Sequence, residues 1–154
     1  KFIKKINTQN NNFNLIIIGE GEQKKLLQNY ILNNELKNCF LLGFKRNPFN
    51  YLAKSKLYIS TSSWEEPGHT LLEAGYLNVP ILTSNCPNGP DEIIHNELNG
   101  LKYKLGDEGD FINKMDKFHS LSNSDKKRLS IGMKKTVMDY TQYRFCKKFS
   151  KVLN

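Results

Sequence analysis

The sequence predicts an α/β domain with a doubly wound, mainly parallel sheet and with helices at its carboxyl-terminal end. Residues 13–18 form a short, continuous apolar run that Gly19 closes, which is typical of a strand buried on both faces of a parallel sheet. Residues 22–34 then carry apolar side chains at helical spacing, and this alternation of strand and helix repeats along the chain. The 154 residues, of which 38% are hydrophobic, are enough for one domain with its own core.

The remaining elements follow in chain order. Four further apolar runs predict strands at residues 40–42, 57–60, 80–83 and, at the edge of the sheet, 100–103. Composition and spacing predict helices at residues 50–53 and 69–77, near Asp91, and from Gly109 to the end of the chain. Residues 1–6 have the pattern of the second half of an amphipathic helix without a cap, so we expect the chain to be a piece of a longer protein.

Composition limits the classes of binding partner and the cellular compartment that the chain suits. The formal net charge of +8 favours an anionic partner, which leaves nucleotide phosphate, nucleic acid and anionic lipid open. Cys39, Cys86 and Cys146 are odd in number and widely spaced, which argues against a disulfide framework or a zinc site and for a reducing compartment. No apolar run approaches the roughly 18 residues that span a bilayer, and no signal peptide opens the chain. We therefore expect a cytoplasmic protein whose basic surface suits peripheral contact with the inner face of the cytoplasmic membrane.

Two glutamates flank the predicted start of the helix at residues 69–77. Pro67 and Gly68 break the preceding strand, so Glu65 lies on a loop and Glu73 about one turn into the helix. The N–H groups that the helix start leaves free belong to Gly68, His69, Thr70 and Leu71. They lie in a positive partial field that suits phosphate, and the flanking carboxylates accept hydrogen bonds from sugar hydroxyls, which together indicate nucleotide-sugar binding. The alternative is a pair of solvated acids, but both lie at the carboxyl end of a strand, where open α/β sheets bind ligands.

Four other features have an ordinary interpretation beside a functional one. Gly19-Glu20-Gly21 invites comparison with the dinucleotide-binding fingerprint, but its third glycine is missing and a tight strand-to-helix turn explains it as well. His69 shares a helix face with Glu73, although a histidine at a helix start is more often a surface or capping residue than a catalytic one. The loop 86–90 is either a turn or a wall of the site. The basic clusters between residues 126 and 135 are best explained as solvated helix faces.

A series of motifs occurs in a fixed order. Seven residues separate Glu65 from Glu73, and then come Leu-Glu-Ala-Gly at 72–75, the strand at 79–84, Gly-Pro-x-Glu-Ile at 89–93 and Asn-Gly-Leu at 99–101. From about residue 14 to residue 103 the chain closely resembles the carboxyl-terminal domain of the group 1 (family 4) glycosyltransferases. The resemblance implies the Rossmann-like carboxyl-terminal half of a GT-B fold, with residues 1–154 as one nucleotide-sugar-binding domain and the amino-terminal acceptor domain absent. One departure is Glu66-Pro67, where family members commonly have Gly-Phe.

The resemblance also implies a role for each candidate residue. Glu73 would bind the ribose hydroxyls of the donor, and Glu65, the candidate catalytic residue, the hydroxyls of the transferred sugar. The diphosphate would be held by the amides of Gly68, His69, Thr70 and Leu71. The base would be bordered by Gly43, Phe44 and Lys45, and room for the donor would be left by Gly19 and Gly21.

The implied activity is transfer of a hexose or N-acetylhexosamine, with retention of anomeric configuration, from a nucleotide-sugar donor to a glycan or lipid-linked acceptor. We expect a UDP-linked donor and a part in polysaccharide or lipopolysaccharide biosynthesis of the cell envelope. No metal or other cofactor is expected, because amides and basic side chains can stabilise the leaving diphosphate and no Asp-x-Asp motif occurs. The chain alone is expected to be inactive.

Three alternatives stay open: a non-catalytic nucleotide-binding module, a basic nucleic-acid-binding module, and a nucleotide-sugar epimerase of the GT-B fold. The basic clusters lack interleaved aromatic residues, so no nucleic-acid partner is expected.

Overall fold

The computed structural model describes residues 13–142 and residues 144, 146 and 150. The chain divides into two units, Lys1–Asn50 and Tyr51–Asn154. Strands and helices follow one another in the predicted order along the described residues, and the neighbouring strands pair in parallel. The helix expected at residues 1–6 lies outside the described residues.

The first unit contains a strand–helix–strand motif. Strand β1 (Leu15–Ile18) pairs in parallel with β2 (Cys39–Gly43), and helix α1 (Lys24–Asn33) connects them. Ile16 pairs with Phe40 in this ladder, and the two residues are 44% and 43% exposed. The prediction that the first strand is buried on both faces is therefore wrong, because among the described residues the sheet face that carries Ile16 and Phe40 stays exposed.

The second unit contains a three-stranded parallel sheet. Its strands, in the order β3–β4–β5, are Tyr58–Ser60, Ile81–Ser84 and Leu101–Tyr103. All four residues of the central strand β4 are buried, and β5 lies at the edge as predicted. The single turn α2 is Phe49–Leu52, and the later helices are α3 (His69–Tyr76), α4 (Gly89–Ile93), α5 (Glu108–Ser120) and α6 (Asn123–Asp139).

The core of the second unit forms where α6 packs on α3. Buried side chains of this cluster include Leu71 and Ala74 of α3, Ile81 of β4, and Met133 and Val137 of α6. The helices approach closely at Gly75, where a Cβ would lie only 2.5 Å from Cγ of Met133. Because α3 also carries Glu73, this packing fixes the helix that presents the predicted site.

The last two helices begin at side-chain caps. Asp107 accepts a hydrogen bond from the N–H of Asp110 at 2.9 Å at the start of α5. At the start of α6, the Ser122 hydroxyl accepts from the N–H of Asp125 at 3.0 Å and donates to Oδ2 of the same residue at 2.6 Å. These bonds satisfy amides that a helix start otherwise leaves unpaired, so they explain where the two helices begin.

Candidate functional site

The candidate site of the second unit lies where strands β3 and β4 end. Because the strands are parallel, the loops that follow them leave the same edge of the sheet. Two contacts join the loop after β3 to the end of β4 and to the loop that follows it. Glu65 forms an isolated β-bridge with Asn88, and the Ser84 hydroxyl donates to the Ser62 carbonyl at 2.5 Å. The loop that carries Glu65 is therefore fixed to the loop after β4.

A chain of serine hydroxyls orients Glu65. The Ser62 hydroxyl donates to Oε1 of Glu65 at 2.6 Å, and the Ser60 hydroxyl donates to that of Ser62 at 3.3 Å. Glu65 is half-buried, and since an ionised carboxylate accepts about four hydrogen bonds, it keeps acceptor positions for a ligand. Ser62 was not predicted. The signal in the sequence is its position three residues before Glu65, a spacing at which serine often bonds to near neighbours.

Helix α3 begins after Gly68, which is buried and has a φ of +77°. This left-handed conformation favours glycine. No side chain caps the helix, and the N–H groups of Gly68, His69 and Thr70 have no acceptor among the described residues. The N–H of Leu71, predicted to be free, instead donates to the Gly68 carbonyl at 3.0 Å, because the first turn closes with a tighter bond. Three unpaired amides at the positive end of a helix suit phosphate oxygens.

Tyr58 lies within electrostatic reach of both predicted glutamates. Burial raises the pKa of the Tyr58 phenol, a side-chain hydrogen bond with Thr70 lowers it, and the negative charges of Glu65 and Glu73 raise it further. Both carboxylates are therefore close enough to one phenol to act on it electrostatically. The fold thus gathers Glu65, Glu73 and the Thr70 side chain around β3. His69 is exposed, as expected of a surface residue.

The loop 86–90 packs against the segment that opens α3. A Cβ on Gly89 would lie 2.8 Å from the carbonyl oxygen of Pro67 and 3.0 Å from the nitrogen of Gly68. The start of α4 is thus in direct contact with the segment that opens α3, whose Glu66–Pro67 peptide bond is cis. Of the two interpretations of this loop, the contact supports the wall.

Two glycines of the first unit border open space. A Cβ on Gly19 or on Gly21 would meet no atom within 4 Å, and Gly19 has a φ of +144°. Open space is what their predicted role requires, because a donor must approach the backbone closely there.

The other candidates of the first unit surround Glu20, which was not predicted. A Cβ on Gly43 would lie 2.7 Å from Oε1 of Glu20. The Glu20 carboxylate accepts from Nζ of Lys24 at 2.8 Å and from the N–H of Phe44 at 3.3 Å, and these hydrogen bonds lower its pKa. The Phe44 side chain remains 73% exposed, and Lys45 is half-buried. Glu20 therefore fixes the backbone of the predicted base-binding segment and leaves the Phe44 ring accessible.

No group of three or more His, Cys, Asp or Glu side chains is placed to hold a metal ion within the part of the chain that the structure describes. Among the same residues, no helix combines the length and the apolar character needed to cross a bilayer.

Residues 1–135 match the model of the family described as glycosyl transferases group 1. The chain therefore belongs to this family, which confirms the family that its motifs predict. An uncharacterized glycosyltransferase of Methanocaldococcus jannaschii is 40% identical over 97 residues, which are 62% of this chain and 24% of that protein. The UDP-Gal:alpha-D-GlcNAc-diphosphoundecaprenol alpha-1,3-galactosyltransferase of Escherichia coli is 34% identical over 100 residues, 64% of this chain and 26% of that protein. The chain thus spans about a quarter of the length of these curated relatives.

Solved structures share the fold. A variant of the S. aureus protein TarM, crystallised with fondaparinux, alpha-GlcNAc-glycerol and UDP, superposes with a TM-score of 0.89 at 22% identity, covering 99% of this chain and 31% of that one. The predicted Rossmann-like α/β fold, as half of a GT-B fold, is confirmed.

Proposed function

We propose that this chain is the donor-binding part of a longer retaining glycosyltransferase, which transfers a hexose or N-acetylhexosamine from a UDP-sugar to a glycan or lipid-linked acceptor. The observation that carries this proposal is the grouping of Glu65, Glu73 and three unpaired amides at the end of β3 and the start of α3. Because the chain spans about a quarter of its relatives, the acceptor domain is assigned to the remainder of the longer protein.

Each group has a chemical role in donor binding. The diphosphate accepts hydrogen bonds from the amides of Gly68, His69 and Thr70, whose field also stabilises the charge that develops as the sugar departs. Glu73, on the same helix, accepts from the ribose hydroxyls. Glu65, held by Ser62, accepts from the hydroxyls of the transferred sugar and is the proposed catalytic residue. Since fixed amides supply the positive field, the proposed transfer needs no metal.

The contacts proposed for the first unit are those that the resemblance implies. Gly19 and Gly21 leave space for the donor, and the base is bordered by Gly43, Phe44 and Lys45. The exposed Phe44 ring offers an apolar face of the kind on which a base stacks.

The names of relatives support the donor and acceptor classes. The E. coli relative carries UDP-Gal and a diphosphoundecaprenol-linked sugar in its name, and the TarM crystal contains UDP. For the longer protein we therefore propose a UDP-linked donor and a part in polysaccharide or lipopolysaccharide biosynthesis. We also propose a cytoplasmic location with peripheral contact at the inner face of the cytoplasmic membrane.

A transfer assay on the longer protein tests the proposal. UDP-sugars are first ranked by thermal shift, and transfer is then followed in the presence of a chelator, with the anomeric configuration of the product read by NMR. We expect transfer to persist with the chelator and to keep the donor's configuration, and the 154-residue chain alone to be inactive. An obligatory requirement for magnesium or manganese would contradict the metal-free mechanism, and an inverted product would contradict retention.

The same preparation tests two of the alternatives. A UDP-sugar that epimerises without an acceptor indicates the epimerase. Tight and steeply salt-dependent binding of a single-stranded oligonucleotide indicates the nucleic-acid-binding module.

A further inference from the structure

Helix α6 has an outer face that mixes cations with exposed apolar side chains. Its inner face is buried and consists of Leu129, Met133 and Val137. Its outer face repeats at helical spacing through Lys127, Ile131, Lys135 and Met138. Ile131 is 44% exposed and Met138 is 48% exposed. Solvation accounts for the lysines of this face but not for the apolar residues beside them.

Two adjoining cavities lie along this outer face. One, of about 380 Å³, is lined by residues that include Leu98, Lys127, Arg128, Ile131 and Lys135. The other, of about 480 Å³, shares Lys127 and Ile131 with the first. Leu98 is 67% exposed, so this concave region combines cations with accessible apolar groups. We name it the α6 surface, defined by Leu98, Lys127, Arg128, Ile131 and Lys135.

The positive charge of the α6 surface is only partly compensated. Nε of Arg128 lies 3.7 Å from a carboxylate oxygen of Asp125. Lys127 and Lys135 form no ion pair within the described residues. Two neighbouring lysines stack on aromatic rings instead, namely Lys126 and Lys134. Lys127 and Lys135 are thus the cations of this surface that lack a carboxylate partner among the described residues.

We propose that the α6 surface docks the chain on an anionic phospholipid bilayer, with Lys127 and Lys135 at the headgroup phosphates and Leu98 and Ile131 at the acyl boundary. A bilayer matches both components, because basic helices with apolar side chains bind in the interface through charge and buried apolar area together. Single-stranded nucleic acid matches less well, since no aromatic residue that could stack on a base lines either cavity. This proposal rests on the peripheral membrane contact of the proposed function and names the surface that makes it. It does not depend on the donor site.

Co-sedimentation of the full 154-residue chain with vesicles of equal parts phosphatidylglycerol and phosphatidylcholine tests the surface. The variant Lys127→Gln/Lys135→Gln should reduce the partition coefficient at low salt by about 25-fold, since each lysine near an anionic surface contributes roughly fivefold. The matched control is Lys54→Gln/Lys56→Gln, which removes the same charge from exposed positions of the same unit and should bind nearly as wild type. Thermal unfolding verifies that both variants are folded.

A second pair of variants isolates the apolar component. Ile131→Ser should weaken vesicle binding several-fold at low and at physiological salt alike, because the burial of apolar area is not screened. Leu105→Ser, at a residue of similar exposure (40%), is the control and should not weaken it.

Three results would overturn the proposal: no sedimentation of the wild-type chain at low salt, equal losses for the two lysine pairs, or tighter binding of a single-stranded oligonucleotide that depends on Lys127 and Lys135. Binding of UDP, measured on the same samples, reports separately on the donor site.

Discussion

Replacing Gly89 with alanine tests whether α4 fixes the segment that opens α3. The added Cβ would lie 2.8 Å from the Pro67 carbonyl oxygen, 2.9 Å from its carbonyl carbon and 3.0 Å from the Gly68 nitrogen, against 3.4–4 Å for ordinary van der Waals contact. All three are backbone atoms. Because they are backbone atoms, no side-chain rotation relieves the overlap, and the β-bridge between Glu65 and Asn88 further restrains the two segments.

The expected loss follows from two opposing effects. Forcing an extra carbon into a packed region costs about 1–3 kcal/mol. Alanine in place of glycine in a helix recovers at most about 1 kcal/mol. With a cost near the middle of that range, about 2 kcal/mol, we expect Gly89→Ala to lower the free energy of unfolding by about 1–2 kcal/mol, which corresponds to a fall in Tm of roughly 2–8 °C for a chain of this size.

Urea denaturation of the 154-residue chain, followed by circular dichroism, measures this loss. The control is Gly109→Ala in α5, where a Cβ would meet only Oδ1 of Asp107, at 3.4 Å, so this variant should be neutral or slightly more stable. If Gly89→Ala unfolds at the same urea concentration as wild type or as the control, the start of α4 does not constrain the α3 segment and the reasoning is refuted.

Three further substitutions probe other contacts. Ser62→Ala removes the 2.6 Å hydrogen bond to Glu65, so it should reduce sugar transfer by the longer protein while UDP affinity, measured by calorimetry, stays the same. Burial raises the pKa of Tyr103 to about 12, so the folded chain keeps the phenol proton between about pH 10 and 12 where the unfolded chain loses it. The free energy of unfolding should therefore keep its full value below pH ~10 and fall above it. Urea titrations across this pH range should show a smaller fall for the variant Tyr103→Phe. Ser122→Ala removes the cap of α6 and should cost about 1 kcal/mol in the same denaturation assay, whereas an unchanged midpoint would show that the bonds to Asp125 do not stabilise the helix.

The order of strands and helices was predictable because buried parallel strands and amphipathic helices have distinct periods in the sequence. Strand β4 begins with the apolar pair Ile81-Leu82, and all four of its residues are buried. The same pattern misled at β1, where Ile16 is 44% exposed, because an apolar run shows that a strand suits burial but not what covers it.

The candidate site was predictable where it depends on local rules. Glu65 and Glu73 lie on either side of the helix start at His69, which Pro67 and Gly68 signal in the sequence. Contacts between distant segments, such as the bond from Ser84 to the Ser62 carbonyl, have no local signal, since the partners are 22 positions apart in the sequence. The position of Tyr58 near both glutamates has no local signal either, because it depends on how α3 packs against β3.

Calorimetric titration of the longer protein with UDP tests the central claim, that the start of α3 binds a nucleotide and that its two glutamates have different partners. Glu73→Ala should weaken UDP by about 1.5–3 kcal/mol, the range for hydrogen bonds to a charged group, because the ribose belongs to UDP itself. Glu65→Ala should leave UDP affinity nearly unchanged, because its proposed partner is the transferred sugar. Equal losses for the two variants, or no loss for Glu73→Ala, would contradict the claim.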